Sequence, residues 1–197
     1  MSITTLFEDK NFETVRSELL ALLAAYSYQE GDFTLSSGHQ SDYYIDCKKV
    51  TLMAEGAVAA GALLLGRLPV QAAAVAGLTL GADPLITAVS LLSNFEGTPL
   101  PGLIVRKKPK GHGTENFVEG PSLPAGSQVV VLEDVVTTGQ SALKAVEHLK
   151  TAGFSVNKVI ALVDRNQGGA ELYSKNRLSF EAIYNIREIQ AAAADLA

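Results

Sequence analysis

The residues best equipped for chemistry stand in one stretch, Val129-Val130-Val131-Leu132-Glu133-Asp134-Val135-Val136-Thr137-Thr138-Gly139-Gln140-Ser141. Thr137, Thr138 and Ser141 bring three hydroxyls, and Gly139 removes a side chain where backbone must approach a ligand closely. Ahead of a helix, such a turn offers a nest of free N–H donors at the positive end of the helix dipole, which suits a phosphate. Glu133 and Asp134 cannot ligate the same anion, because like charges repel. Beside it they would accept hydrogen bonds from sugar hydroxyls, or hold the waters of a Mg²⁺ that bridges to another phosphate. A ribose 5-phosphate satisfies both halves. The same residues also fit an ordinary strand-to-helix turn with an acidic cap, and spacing alone leaves the two readings level.

Three further stretches carry candidate groups. Arg106-Lys107-Lys108-Pro109-Lys110-Gly111-His112-Gly113 holds five residues able to carry positive charge among eight, a repulsive arrangement unless an anion or solvent screens it. The segment up to Gly126 is long for a connection in a compact domain, which favours a flap over a linker, although a solvated basic loop is the usual reading of a charge run. Gly77 to Pro84 is a glycine-bounded loop before a helix start, a second candidate anion site or simply a cap. Arg165 follows Asp164 at a strand end. Neighbouring strand residues point to opposite faces, so the guanidinium is better matched to a planar carboxylate elsewhere. The nearest Walker-like spacing, Gly61 to Gly66, is followed by Arg67 within an apolar helical pattern, which argues against a nucleoside triphosphatase.

Regular elements must position these groups. Val129 to Leu132 is uniformly apolar, as in a strand buried on both faces, and the acidic pair comes where that strand should end. Ala142, Leu143, Ala145, Val146 and Leu149 then recur at helical spacing and stop near Gly153. Earlier, Phe12, Val15, Leu19, Leu22, Leu23 and Tyr26 predict an amphipathic helix from about Asn11 to Tyr28, followed by a hairpin over Phe33 to Asp46. Thr51 to Leu68 reads as a helix rich in small residues, Ala72 to Ala76 as a buried strand, and Asp83-Pro84 as N-cap and first residue of a helix running to about Asn94. Leu103 to Arg106, Lys158 to Arg165 and Phe180 to Ile186 supply further strands, with a short helix from Arg187. His39 and His148 read as structural.

At 197 residues the chain fits one domain able to bury a substantial core. Each apolar run is interrupted before it could span a bilayer, and the first ten residues lack a secretory pattern. One cysteine, Cys47, leaves no internal disulfide, in keeping with a cytoplasmic protein. A formal net charge of −5 argues against nucleic acid as the main partner.

Leu132-Glu133-Asp134-Val135-Val136-Thr137-Thr138-Gly139-Gln140-Ser141 closely resembles the phosphoribosyl-pyrophosphate motif of the type I phosphoribosyltransferases, and the chain is most similar to their orotate-using branch. The resemblance covers nearly the whole chain. It implies an α/β fold with a mainly parallel central sheet flanked by helices, a small N-terminal hood over about 1–50, a core over about 51–197 and a mobile catalytic flap over about 106–126. Phe33-Thr34-Leu35-Ser36-Ser37-Gly38 is similar to the hood segment, with Tyr44 and Ile45 near the flat base. Arg-Lys-x-x-Lys-x-His matches the flap at Arg106, Lys107, Lys110 and His112. Two departures stand out, Ser36 and Gly81, where members of the family carry lysines.

What the resemblance implies chemically is transfer of a phosphoribosyl group to orotate. Lys110, His112 and Asp134 are implied as catalytic. Phosphoribosyl pyrophosphate would be bound by Arg106, Lys107, Lys110, His112 and the run from Glu133 and Asp134 through Val135, Val136, Thr137, Thr138, Gly139 and Gln140 to Ser141. Orotate would meet Thr137, Arg165 and Tyr44. Mg²⁺ is the implied cofactor, held mainly through the substrate and water rather than by protein ligands, and a homodimer with the flap shared across subunits is the implied assembly. Two alternatives remain at this level: transfer to a different base, or a non-catalytic regulator that senses the sugar phosphate and binds RNA, for which no second basic cluster is found.

Overall fold

The uniformly apolar run predicts a strand covered on both sides, and the computed structural model, which describes residues 11–34, 40–109 and 116–196, has that strand at its centre. In chain order the elements are α1 (Phe12–Leu22), β1 (Tyr28–Thr34), β2 (Gln40–Ile45), α2 (Lys48–Thr51), α3 (Ala54–Leu65), β3 (Ala74–Leu78), α4 (Asp83–Phe95) and β4 (Gly102–Val105). There follow β5 (Val118–Glu119), β6 (Gln128–Val136), α5 (Gln140–Thr151), β7 (Ser155–Asp164), α6 (Gly169–Lys175), β8 (Ser179–Asn185) and α7 (Ile186–Ala194). Six strands form one sheet in the order β5-β4-β3-β6-β7-β8, parallel except for the edge strand β5. The mainly parallel α/β architecture is therefore as the sequence implied.

Val129 and Val131 pack into the core on one face of the sheet with α5, while Val130 and Leu132 join the core on the other with α1, α3 and α4. All four are fully buried, the burial expected where helices cover both faces of a parallel sheet. The hairpin β1–β2 forms a separate two-stranded antiparallel sheet.

Several boundaries differ from the sequence reading. Helix α1 is capped by the Asn11 side chain, which accepts from the Thr14 N–H at 2.9 Å, but it passes into a π-helical turn over Leu23–Ser27. Tyr28 is strand, because it pairs with Ile45 across the hairpin. The helix expected over Thr51 to Leu68 is broken at Leu52 and Met53, so that α3 folds back on α2. A Cβ on Gly56 would lie 2.1 Å from the Val50 carbonyl oxygen, so glycine alone permits that approach. Ala82, not Asp83, is the N-cap of α4, and Asp83 is its first residue. Helix α6 was not foreseen; seven residues behind a Gly-Gly pair carry too little periodicity to register. Helix α7 starts at a capping box in which Asn185 accepts from the Glu188 N–H and Glu188 accepts from the Asn185 N–H. Glu188 is also ion-paired with Arg16, joining the two ends of the chain. Among the described residues no helix is long and apolar enough to cross a membrane.

Candidate active site

The carboxyl ends of β3, β4, β6 and β7 open onto one edge of the sheet, where parallel α/β folds bind ligands. Strand β6 determines how the acidic pair is presented. The sequence placed Glu133 and Asp134 at the strand end, yet the strand runs past them to Val136. Glu133 is in register with Ala161, and pairing continues through Val135 with Val163 and Val136 with Asp164. A parallel neighbour as long as β7 keeps the backbone hydrogen-bonded past the carboxylates, which overrides their low strand propensity. Adjacent strand residues leave the backbone in opposite directions, yet at this end of β6 the two carboxyls remain within hydrogen-bonding reach of each other while meeting different neighbours.

Glu133 turns toward a cavity of about 540 Å³ that also receives Tyr44, Val135, Val136, Thr137, Thr138, Gly139, Gln140, Ser141 and Arg165. Gly139 sits at φ +84° as the N-cap of α5, a left-handed conformation that favours glycine, and the turn places backbone N–H groups at the helix start. Glu133 is 6% exposed and its Oε2 has no hydrogen-bond partner among the described residues. Burial, followed by the neighbouring Asp134 charge, pushes the Glu133 carboxyl well above the usual carboxylate range, while Lys107 opposes this.

Asp134 meets other neighbours. Its carboxylate occupies the space above Gly81, where a Cβ would come within 2.3 Å of Oδ1. Any side chain at position 81, lysine included, would have to displace it. Burial raises the Asp134 carboxyl, against the Val135 N–H and the Lys48 ammonium, which hold it down. Lys48 is thus the cation on this flank. Its Nζ donates to Asp46 Oδ1 at 2.5 Å. Lys48, between the expected hairpin and the expected helix from Thr51, was not singled out from sequence; the juxtaposition of Asp46, Cys47 and Lys48 with Asp134 is purely tertiary.

Arg165 makes no ion pair with Asp164, whose Oδ1 instead accepts from the Asn166 N–H at 2.8 Å. The guanidinium, 6% exposed at the residue level, reaches the hood: Nε donates to Tyr43 Oη at 2.9 Å and Nη2 to Ser41 Oγ at 3.0 Å. Its central carbon lies 4.4 Å from the Tyr43 ring centroid, a cation–π contact. Tyr43 and Ser41 were not singled out from sequence, though they alternate with Tyr44 along β2 and so share a face, a signal that was available. Tyr44 lines the cavity from the other side of that strand and packs on Phe33, with ring centroids 5.5 Å apart.

Arg106 and Lys107 stand at the end of β4, beside a separate depression shared with Thr79, Asp83, Lys108 and Glu119. Arg106 Nη1 donates to Glu119 Oε1 at 3.0 Å, with both side chains about two-fifths exposed. Lys110 and His112 lie outside the described residues, as do Ser36 and His39. The range assigned to the flap contains β5, and the Arg106 N–H donates to the Phe117 carbonyl at 2.8 Å, closing the base of the excursion. His148, for which sequence offered no partner, stacks on Phe117 with ring centroids 3.8 Å apart.

The parallel sheet, with an acidic pair in its central strand and a hydroxyl-rich turn at the helix start that follows, is the fold of a phosphoribosyltransferase, and the family model described as phosphoribosyl transferase domain matches residues 74–195. The chain is 59% identical over 177 residues to an orotate phosphoribosyltransferase of a Nostoc species, covering 90% of this chain and 86% of that one. It is also 59% identical over 176 residues to the Synechocystis protein of the same name, with 89% of each covered. Among solved structures, the Mycobacterium tuberculosis orotate phosphoribosyltransferase in complex with 5-phospho-α-D-ribosyl 1-diphosphate superposes with a TM-score of 0.73 at 33% identity, covering 89% of this chain and 99% of that one. The chain belongs to the orotate phosphoribosyltransferase family.

Proposed function

We propose that this protein transfers the phosphoribosyl group from 5-phospho-α-D-ribose 1-diphosphate to orotate, giving orotidine 5′-phosphate and diphosphate on the route to UMP. The observation that carries this reading is the cavity that joins the Thr137–Ser141 turn and buried Glu133 to a hood-held Arg165. The turn would hold the 5′-phosphate through backbone N–H groups and hydroxyls, and Glu133 and Asp134 would serve the ribose. Arg165 offers orotate's carboxylate a planar donor, with Thr137 and Tyr44 along the base.

In the transfer, the bond from C1 to the diphosphate oxygen breaks ahead of the bond from orotate N1 to C1, as in glycosyl transfer generally. The electron pair of the breaking bond leaves with diphosphate, and the proton on N1 is lost to solvent. Arg106, Lys107, Lys110 and His112 would place positive charge on the departing group, Arg106 exchanging its exposed Glu119 partner for it. Closure of the 106–126 segment would keep water from the sugar cation. Lys110→Ala is expected to lower kcat by about 10²–10³-fold with little change in orotate affinity, the split expected of a group acting only in the transition state. Steady-state kinetics beside orotate titration measures both, and equal losses would remove Lys110 from that role.

Mg²⁺ fits this site as an ion held through substrate oxygens and water. Among the described residues no group of three or more His, Cys, Asp or Glu could hold a metal directly, and Glu133 on the cavity wall would accept from the ion's waters. When bound, it would supply positive charge to the leaving diphosphate. The protein would act in the cytoplasm as a homodimer. Support for the second copy comes from exposed Leu52, Leu80 and Leu91 around an apolar groove between α3 and α4, next to the Asp134 flank of the site. Sedimentation of Leu80→Asp and Leu91→Asp together is expected to show monomers where wild type shows dimers.

The reaction itself is tested by following orotate absorbance with purified protein and phosphoribosyl pyrophosphate, with and without Mg²⁺. Metal-dependent loss of orotate is expected. Activity with another base but not orotate would overturn the assignment.

A further inference from the structure

Below the turn lies a hydroxyl that neither the packing of the fold nor the mechanism above requires. Tyr173, on α6, is fully buried and packs on Phe180 with ring centroids 5.0 Å apart. Its ring fills the space under the turn: a Cβ on Gly139 would lie 2.9 Å from Cζ and 3.1 Å from Oη. The start of α6 is pressed as closely on β6, since a Cβ on Gly169 would lie 2.3 Å from Val136 Cγ1. Yet Tyr173 Oη has no hydrogen-bond partner among the described residues.

A buried hydroxyl without a partner is costly, and a phenylalanine ring would fill the same volume without that cost. Among the described residues that line the cavity, the other buried side-chain polar atom without a partner is Glu133 Oε2. The two are complementary, one a donor and the other an acceptor. Burial, with the charges of Glu133 and Asp164, pushes the Tyr173 phenol up, so it stays protonated and able to donate throughout the neutral range.

We propose that Tyr173 is a positioning residue for phosphoribosyl transfer: once the turn above it holds the substrate's phosphate, its hydroxyl donates to Glu133 Oε2 and fixes that carboxylate as the acceptor for a ribose hydroxyl. One bond thereby ties the acidic strand to the phosphate turn through Tyr173, whose ring already touches Gly139. This rests on the phosphoribosyl reading of the cavity.

The test is a double-mutant cycle of Tyr173→Phe and Glu133→Gln, read by calorimetric binding of phosphoribosyl pyrophosphate, steady-state kinetics and ligand-free Tm. Tyr173→Phe is expected to weaken phosphoribosyl pyrophosphate about tenfold and raise its KM similarly, leave the orotate KM unchanged, and keep or raise the ligand-free Tm, because the hydroxyl it removes is unpaired there. In the Glu133→Gln background the same change should add less than twofold. Wild-type affinity in Tyr173→Phe, full additivity in the double variant, or a lowered ligand-free Tm would each overturn the proposal, the last by making the hydroxyl structural. Wild-type protein that binds no phosphoribosyl pyrophosphate would instead overturn the functional reading, and this inference with it.

Discussion

Arg165→Ala is expected to reduce kcat/KM for orotate by about 10³-fold while phosphoribosyl pyrophosphate binds within a few-fold of wild type. The guanidinium is buried, and Tyr43 Oη and Ser41 Oγ already hold Nε and Nη2 in place, so it is oriented before any base arrives. Preorganisation of this kind saves the ordering cost that a flexible lysine would incur. Its loss leaves a substrate carboxylate in a sheltered site without its counter-charge, a penalty of about 2–5 kcal/mol for a buried pair. Arg165→Lys should recover little of that loss, because an ammonium cannot reproduce the planar fork or the stacking on Tyr43. Steady-state kinetics with orotate varied, beside calorimetry with the sugar phosphate alone, separates the two substrates. Equal damage to both would mean that Arg165 serves chiefly to hold the hood on the core.

Glu133→Gln is expected to act on stability and on activity with opposite signs. The Glu133 carboxyl binds its proton more tightly in the folded protein than in the unfolded chain, because burial and then the Asp134 charge disfavour its ionised form. Above the ordinary carboxylate range the folded state therefore holds more protons than the unfolded one, and ligand-free stability falls as pH rises through that window. Glutamine removes the charge. At about pH 8 the ligand-free variant should melt higher than wild type, with the gap closing as pH falls into the ordinary carboxylate range. The same substitution removes a charged acceptor from the ribose side, and kcat/KM for phosphoribosyl pyrophosphate should drop by about 10–10²-fold. Thermal scans across pH, paired with kinetics, test both arms. A variant that melts lower than wild type at every pH would show that the carboxylate has a stabilising partner in the resting protein.

Much of this was legible in the sequence because it depends on local rules. The uniform apolar run Val129–Leu132 announced a strand covered on both faces, and its residues divide between the two cores as period two requires. Gly139 marked a close approach of backbone before the helix, where the structure has a left-handed N-cap, and Gly153, at φ +91°, marked the end of α5. The arginine at the end of β7 stood out through its poor geometry for pairing with Asp164.

Other features have no local signal. Whether β6 stops before Glu133 or runs on to Val136 depends on the length of its neighbour β7. From that follow the different neighbours of the two carboxylates, Glu133 beside Tyr173 and the Thr137–Ser141 turn, Asp134 beside Gly81 and Lys48. The contacts between Arg165 and Tyr43 and between Phe117 and His148 join residues far apart in the chain. Sequence by itself therefore determined the parallel sheet, the hydroxyl-rich turn before α5 and the residue types available to the site, since backbone geometry and hydrophobic period are properties of neighbouring residues. Only the tertiary structure decided which carboxylate meets which partner, because that depends on strand register and packing across the sheet, and a shift of one residue along β6 would have exchanged the faces of Glu133 and Asp134.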